Sequence, residues 1–312
     1  MTSLSKLGGA QPDVVTTPSP PTPRRRRRGL TPYLLLLPGM AWLFVFFAVP
    51  MVFLASQSLQ EGSIEQGYVL TWHWQTYVDA FQLYLPQFVR SLWYAGTATV
   101  LAFLIGYPLA YTIAFKAGRW KNVLLVLVIA PFFTSFLLRT LAWQTILTND
   151  GPVVSFLRFT HLTDLFAYLG LINTDVILGT QLSVITGLTY NFLPFMVLPL
   201  YASLERIDVR LLEAAGDLYA RPWTGFRKVT LPLSMPGVVA GTLLTFIPAA
   251  GDYINSKLLG SPDTTMIGQV IDGQFLRVLD YPTAAALSFT LMATIVVLVA
   301  IYVRRAGTEE LV

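Results

Sequence analysis

DVRLLEAAGDLYARPWTGFRKVTLP, residues 208–232, is the stretch around which the rest of the chain is organised. It is a polar island between two strongly apolar segments, and its pattern predicts two short helices joined by a turn. Asp208 suits the N-cap of the first helix. One face of that helix is an apolar stripe formed by Leu211, Leu212, Ala215, Leu218 and Tyr219. The opposite face carries the charged residues Arg210, Glu213 and Asp217.

The second helix is predicted to begin at Pro222, because proline disfavours a helical residue before it and suits a first helical turn. Its apolar side carries Trp223, Phe226 and Val229, and it is expected to stop at Leu231-Pro232. Two short helices with one polar face each, next to a membrane, are expected to form a docking surface.

The spacing of this stretch resembles the EAA loop of permease subunits of ABC importers. The matching residues, in order, are Glu213, Ala214, Ala215, Ala220, Phe226, Val229, Leu231 and Pro232. The resemblance implies a type I ABC importer permease fold in which coupling helices fit a cleft on a cytoplasmic ATPase. It assigns ATPase coupling to Glu213, Ala214, Ala215, Asp217, Tyr219, Ala220, Phe226, Leu231 and Pro232. The alternative, an amphipathic helix lying on lipid headgroups, explains neither the spacing nor the second helix.

Tyr219 departs from the family pattern, which usually has glycine immediately before the alanine of the turn. Tyrosine is costly there if the backbone must take a positive φ. We therefore expect either a turn of different conformation or a Tyr219 side chain that fills a pocket on the partner.

The composition predicts an all-α polytopic membrane protein. Of 312 residues, 54% are hydrophobic and only 12% charged, with a mean hydropathy of +0.59. The chain has no cysteine, and His73 and His161 lack ligand-like spacing, so no metal site is expected. It also has no G-x-x-x-x-G-K-[ST] sequence for nucleotide phosphates. The chain is therefore expected to bind no cofactor and not to be an enzyme by itself.

Six membrane spans are predicted within a permease domain of residues 31–307, each long enough to cross a hydrocarbon core of roughly 30 Å. A Pro- and Arg-rich tail, residues 1–30, precedes the domain and is expected to be disordered. A short cytoplasmic tail, residues 308–312, follows it. Arg24 to Arg28 could bind nucleic acid or anionic lipid. The favoured interpretation is that they anchor the first span on the cytoplasmic side, and no nucleic-acid partner is expected. The spans are 33–57, 88–115, 122–147, 176–201, 237–259 and 282–303, and the coupling loop is 202–236.

The distribution of basic residues predicts that both termini and the coupling loop are cytoplasmic. In that orientation the cytoplasmic segments hold 16 of the 21 Lys and Arg residues, as the positive-inside rule requires. The cytoplasmic cations are Lys6, Arg24 to Arg28, Lys116, Arg119, Lys121, Arg206, Arg210, Arg221, Arg227, Lys228, Arg304 and Arg305. The external acids are Glu61, Glu65, Asp79, Asp150, Asp164, Asp175, Asp263, Asp272 and Asp280.

Arg139 and Asp252 are charged residues inside predicted spans, where charge is expensive. Counting along straight helices places both about 10 Å below the outer surface, so they are expected to face each other. Pro248 and Gly251 weaken the helix beside Asp252, as in the broken helices that line transport pathways. A substrate pathway and a structural ion pair are both open interpretations, and they are compatible.

A second, narrower resemblance concerns the solute. PFFTSFLLRTLAW (131–143), YNFLPFMVLPLYASLERID (190–208) and FIPAAGDYINSKLLGSPDTTMIGQVI (246–271) look like stretches of permeases for spermidine and putrescine. In that subgroup an acidic residue commonly occupies the position of Asp252. A carboxylate suits a polycation that loses hydration, and Tyr253 and Trp143 would add cation–π contacts.

The resemblance implies several partners in a bacterial plasma membrane. They are an ATPase homodimer that carries ATP and Mg, a second permease subunit, an extracytoplasmic solute-binding protein and membrane lipid. Another solute on the same scaffold, such as an organic cation, a metal chelate or an amino-acid derivative, stays open. An ion-coupled carrier is a further alternative, but such carriers usually contain internal repeats, and none is found here.

Three smaller patterns complete the sequence picture. Gly237-x-x-x-Gly241 predicts close helix packing, and Pro131, Pro194 and Pro199 predict kinks. Residues 148–175 contain two short helical patterns that either dock a binding protein or cap the bundle. TWHWQTYVDAF, residues 71–81, is amphipathic and suits the outer interface.

Overall fold

The apolar runs of the sequence form helices in the structure, a computed structural model that describes residues 31–168 and 176–306. The predicted tails, residues 1–30 and 308–312, lie outside the described residues, as does Arg24–Arg28. The chain divides into two units at residue 50. In the first unit, α1 (Thr31–Leu43) leads into a π-helical turn, Phe44–Ala48, and α2 (Val49–Gln57) begins. The described side chains of this unit are mostly exposed and apolar, as expected for a helix surrounded by lipid.

A short β-hairpin interrupts the otherwise helical chain. Strands β1 (Gln60–Ser63) and β2 (Gly67–Leu70) pair antiparallel, with Gln60 opposite Leu70. The hydroxyl of Tyr68 donates a hydrogen bond to the carbonyl oxygen of Leu279 at 2.6 Å, which ties the hairpin to a distant loop. Composition missed the hairpin because it is only two strands of four residues in a helical chain.

Three helices form the centre of the second unit. α3 (Gln75–Phe115) packs most extensively on α8 (Gln181–Glu205), and α12 (Met235–Ala250) packs on both. The buried positions of these helices are mainly small or apolar residues. Helix α3 begins 13 residues before the predicted span 88–115. Most of the amphipathic segment 71–81 therefore belongs to this helix. The sixth predicted span, 282–303, corresponds to α15 (Tyr281–Ala306).

The predicted third span, 122–147, is not one straight helix. A 3-10 turn (Gly118–Trp120), α4 (Lys121–Ile129) and a second 3-10 turn (Ala130–Phe133) form its first part. After an extended break at Thr134 and Ser135, α5 (Phe136–Ile146) leaves at a bend of 95°. Pro131, predicted to kink this span, lies directly before the break, where its missing N–H helps to end the helix.

The predicted fifth span, 237–259, also breaks. α12 ends at Ala250, and after the turn at Gly251 a separate helix, α13 (Ile254–Leu259), begins. The helix therefore breaks at the weak point predicted at Pro248 and Gly251.

Among the described residues, four long helices are apolar enough to cross a membrane by length and composition, and the number rises to six if each of two bent pairs counts as one span. The bent pairs are Gly118–Phe133 with Phe136–Ile146, and Pro222–Leu233 with Met235–Ala250. The remaining elements are α6 (Pro152–Phe159), α7 (Leu162–Tyr168), α9 (Val209–Asp217), α10 (Pro222–Gly225), a π-helical turn (Phe226–Thr230), α11 (Leu231–Leu233), a 3-10 turn (Pro262–Thr264), α14 (Ile267–Gly273) and a second π-helical turn (Gln274–Val278). Helices α6 and α7 confirm the two short helical patterns, and residues 169–175 lie outside the description.

The Gly237-x-x-x-Gly241 spacing performs the packing role predicted for it. A Cβ atom at Gly237 would lie 2.7 Å from the carbonyl oxygen of Pro199, and one at Gly241 would lie 2.9 Å from Sδ of Met196. Both contacts are too close for a side chain, so only glycine lets α12 approach α8 at this distance.

Candidate functional site

The first coupling helix begins as predicted. The Oδ1 atom of Asp208 accepts a hydrogen bond from the backbone N–H of Arg210 at 3.0 Å, so Asp208 is the N-cap of α9. The exposed face of α9 includes Glu213, Ala214 and Asp217, while Ala215 is half-buried.

The end of α9 explains why a glycine is expected at position 219. The N–H of Ala220 donates to the carbonyl of Ala215 at 3.1 Å, and the N–H of Tyr219 donates to the carbonyl of Gly216 at 2.9 Å. These two bonds form a Schellman motif, whose first residue after the cap takes a left-handed conformation. Tyr219 has a φ of 56°. The expectation of a different turn is therefore wrong, and the tyrosine adopts the backbone that glycine prefers.

The second coupling helix is anchored to the bundle by an aromatic side chain. The ring of Phe226 lies 5.6 Å from that of Tyr107 on α3, edge to face, and 5.3 Å from that of Trp223, stacked. Phe226 and Leu231 pack against the buried cluster of α3 and α8, so these two predicted coupling residues face the bundle. The helix continues past the predicted stop at Pro232 to Leu233, because the π-helical turn at Phe226–Thr230 and α11 extend it without interruption.

A polar contact missed by the sequence extends this anchor. The hydroxyls of Tyr107 and Ser234 lie 2.7 Å apart, and Ser234 Oγ also donates to the carbonyl of Leu231 at 3.0 Å. Ser234 is fully buried at the bend between α11 and α12. One seam of side chains thus joins the second coupling helix to the membrane-embedded helices.

A second link missed by the sequence fixes the end of α8, three residues before the N-cap of α9. Lys121 Nζ forms an ion pair with Oε1 of Glu205 and lies 5.4 Å from the ring centre of Tyr201. Both side chains are partly exposed, so solvent screens this pair and it contributes little to the stability of the fold. It nevertheless ties α4 to the helix that leads into the loop.

The outward surface of the loop exposes three large apolar side chains among its charged residues. The exposed fractions are 81% for Leu218, 97% for Tyr219 and 69% for Trp223. Among the predicted coupling residues, Ala220 is half-buried and Pro232 is exposed. The structure thus separates the predicted set into an outward group and an anchoring group, a distinction that spacing alone did not give.

A buried polar cluster connects α5, α8 and α13. Asn191 Nδ2 donates to Thr140 Oγ1 at 3.2 Å and to Asn255 Oδ1 at 3.0 Å. All three side chains are at most 1% exposed. The sequence analysis missed Asn191 and Asn255, although an asparagine within an otherwise apolar run is a signal for such a cluster.

Asp252 borders this cluster but does not pair with Arg139. Its Oδ1 atom accepts the backbone N–H of Asn255 at 2.8 Å, and its side chain is 8% exposed. Arg139 instead lies over the rings of Phe132 and Phe136, at 5.8 and 5.6 Å. Within the described residues no ion pair joins Asp252 to a cation. Of the two interpretations left open, the structural ion pair is therefore not found, because the 95° bend removes the straight helix from which equal depth was counted.

Trp143 and Tyr253 occupy different surroundings. Trp143 packs edge to face on Tyr190 of α8, with ring centres 5.3 Å apart. Tyr253 is 41% exposed, and Lys257 Nζ lies 5.9 Å from its ring centre, beside the Lys257–Asp272 ion pair of 2.9 Å. Asp252 therefore lies beside the asparagine cluster, whereas the ring of Tyr253 is next to the Lys257 ammonium group.

Comparison with known proteins places these features in a family context. Residues 102–306 match the family described as binding-protein-dependent transport system inner membrane component. The chain is 36% identical over 268 residues to the spermidine/putrescine transport system permease protein PotB of Haemophilus influenzae, covering 85% of this chain and 90% of that protein. It is 34% identical to the protein of the same name from Escherichia coli K12, covering 85% and 94%.

Solved structures share the fold at lower identity. A bacterial ABC transporter for the import of alginate matches with a TM-score of 0.65 and 18% identity, covering 88% of this chain and 94% of the other. The same kind of transporter in complex with an alginate-pentasaccharide-bound periplasmic protein matches with a TM-score of 0.62 and 19% identity, covering 90% and 95%. At these identities the likeness concerns the fold.

Proposed function

The chain belongs to the family of binding-protein-dependent transport system inner membrane components, and on that premise we propose that it imports polyamines such as spermidine and putrescine as one permease subunit of an ABC importer. It would work in a bacterial inner membrane, beside a second permease subunit and with an extracytoplasmic solute-binding protein. ATP and Mg would be bound by the ATPase subunits, because the chain has no P-loop of its own.

The observation that carries the polyamine assignment is the similarity to spermidine/putrescine permeases over 85% of this chain and 90% or more of theirs. Asp252 supports the assignment on chemical grounds. A nearly buried carboxylate without a cationic partner among the described residues is costly unless an ammonium group reaches it.

Movement would pass from the ATPase to the bundle through the loop. Closure of the ATPase pair on ATP would displace α9 and the second coupling helix as rigid pieces. Phe226, Tyr107 and Ser234 would carry that displacement into α3 and α12, because packed side chains transmit motion with little compression.

The test is uptake of labelled spermidine by vesicles that contain the complete importer. Glu213→Lys reverses an exposed charge on α9 without disturbing any buried contact. We expect normal membrane insertion, uptake reduced at least about tenfold, and ATP hydrolysis no longer stimulated by the loaded binding protein. A tenfold loss of uptake rate corresponds to about 1.4 kcal/mol in the activation free energy of transport.

The matched control is Glu65→Lys, which makes the same charge change at an exposed residue of the β1–β2 turn. It is expected to leave the ratio of uptake to hydrolysis unchanged. Normal transport by the Glu213→Lys variant would refute the coupling role of the loop, and failure of the intact importer to take up polyamines would refute the solute assignment.

A further inference from the structure

The turn between the two coupling helices exposes a tyrosine on a strained backbone. Tyr219 has a φ of 56°, in the left-handed region that a bulky side chain rarely adopts. Its side chain is 97% exposed, and Leu218 beside it is 81% exposed. The chain therefore bears both a conformational cost and the exposure of a large aromatic ring at one residue.

Among the described residues, no contact compensates for this combination. With almost its whole surface exposed, the Tyr219 side chain buries no area that would stabilise the fold. Glycine would satisfy the same Schellman hydrogen bonds without strain. Strained backbone conformations persist where function requires them, so the benefit of the tyrosine is expected outside this chain.

We propose that Tyr219, with Leu218, is an anchor that inserts into an apolar pocket on the ATPase subunit and makes the loop selective for an ATPase with that pocket. The inference rests on the proposed function, since it requires an ATPase at this loop. Tyrosine is among the residues most often found at the centre of binding energy in protein interfaces. The Schellman hydrogen bonds fix the backbone of Tyr219 in one conformation, which lowers the backbone entropy lost on docking.

The charges around the anchor favour a protein partner over a lipid surface. Glu213, Asp217 and Arg221 are all exposed on this part of the loop. The two helices also expose Arg210, Arg227 and Lys228, and an anionic membrane attracts all these cations but repels the two carboxylates. A protein pocket with charges of both signs on its rim would complement the whole set.

Binding of the ATPase to the importer in lipid nanodiscs tests the anchor. We expect Tyr219→Gly to weaken binding at least about tenfold, although glycine relieves the strain, and Tyr219→Phe to stay within about threefold because the ring fills the pocket. Tyr168→Gly is the control, since Tyr168 at the end of α7 is 88% exposed and lies outside the loop. It should bind the ATPase as the wild type does.

Two results would overturn the proposed anchor. If Tyr219→Gly binds the ATPase as tightly as the wild type, while the permease keeps or gains thermal stability, the anchor does not exist and the proposed function survives. If the wild-type importer does not bind the ATPase at all, both fail.

A photo-crosslinking amino acid in place of Tyr219 separates the two possible neighbours. A covalent product with the ATPase is expected. A product with lipid alone would overturn the proposal.

Discussion

At the scale of single residues, the polar groups near Asp252 are incompletely satisfied. Within the described residues, Asn191 Oδ1 and Asn255 Nδ2 are buried without a hydrogen-bond partner, although the two side chains bond each other through their remaining atoms. An unsatisfied buried polar group costs about 1–3 kcal/mol. The unpaired Asn191 Oδ1 is an acceptor that an ammonium group beside the Asp252 carboxylate would satisfy, whereas the unpaired Asn255 Nδ2 is a donor and would not bind a cation.

Asp252→Asn tests the role of this carboxylate at the same scale. The amide keeps an oxygen that accepts the N–H of Asn255, so the turn after α12 should be preserved. Loss of the negative charge should reduce spermidine uptake about tenfold or more, with basal ATP hydrolysis retained. Thermal denaturation of the purified variant would show whether the fold is intact.

Asp263→Asn is the matched control, because Asp263 is exposed in the 3-10 turn Pro262–Thr264 that follows α13. It should transport normally. Undiminished polyamine uptake by the Asp252 variant would remove the role assigned to that side chain.

At the scale of secondary-structure elements, the breaks in helices set the positions of the candidate sites. The bend after Pro131 turns α5 through 95°, and the stop at Gly251 places Asp252 in a turn between α12 and α13. The seam from Phe226 through Tyr107 to Ser234 joins the coupling loop to α3 at a third break, the 65° bend before α12. Each of these three breaks therefore lies next to either the buried polar cluster or the coupling loop.

Phe226→Ala tests the seam. Truncation removes the ring that packs on Tyr107 and Trp223, and for a half-buried phenylalanine we expect a loss of about 2 kcal/mol in local stability. The loop should still bind the ATPase through its outward residues, but the number of solute molecules imported per ATP hydrolysed should fall several-fold. The measurement is the ratio of uptake to hydrolysis in reconstituted vesicles.

Phe226→Leu and Val209→Ala provide the comparison. Leucine keeps much of the apolar volume and should restore most of the ratio, whereas Val209 is exposed on α9 and its truncation should change little. An unchanged ratio in Phe226→Ala would show that the seam does not transmit movement.

The sequence predicted these elements unevenly, for physical reasons. The N-cap at Asp208, the start of α10 at Pro222 and the close approach at Gly237 follow from local chemistry, so they could be predicted. The 95° bend and the contacts of Phe226 depend on packing between distant segments, which periodicity does not encode. For the same reason the sequence could not decide whether Arg139 and Asp252 pair, and the Asn191–Asn255 contact was missed.

At the scale of the whole molecule, the coupling loop is both exposed and firmly attached. Its outward residues include Glu213, Asp217 and Tyr219, while Phe226 and the ion pair of Lys121 with Glu205 fix its attachment to the helices. On the proposed function, a loop of this kind would transmit force from a partner instead of absorbing it. The central claim is that an ATPase seated on this loop drives the membrane-embedded helices.

The most direct test of that claim is hydrogen–deuterium exchange of residues 209–233 in the purified importer, measured with and without the ATPase subunit. We predict that amide exchange of this segment slows at least about tenfold when the ATPase is bound, and that the β1–β2 hairpin exchanges at the same rate in both samples. Unchanged exchange of residues 209–233 in an assembly that contains the ATPase would contradict the account.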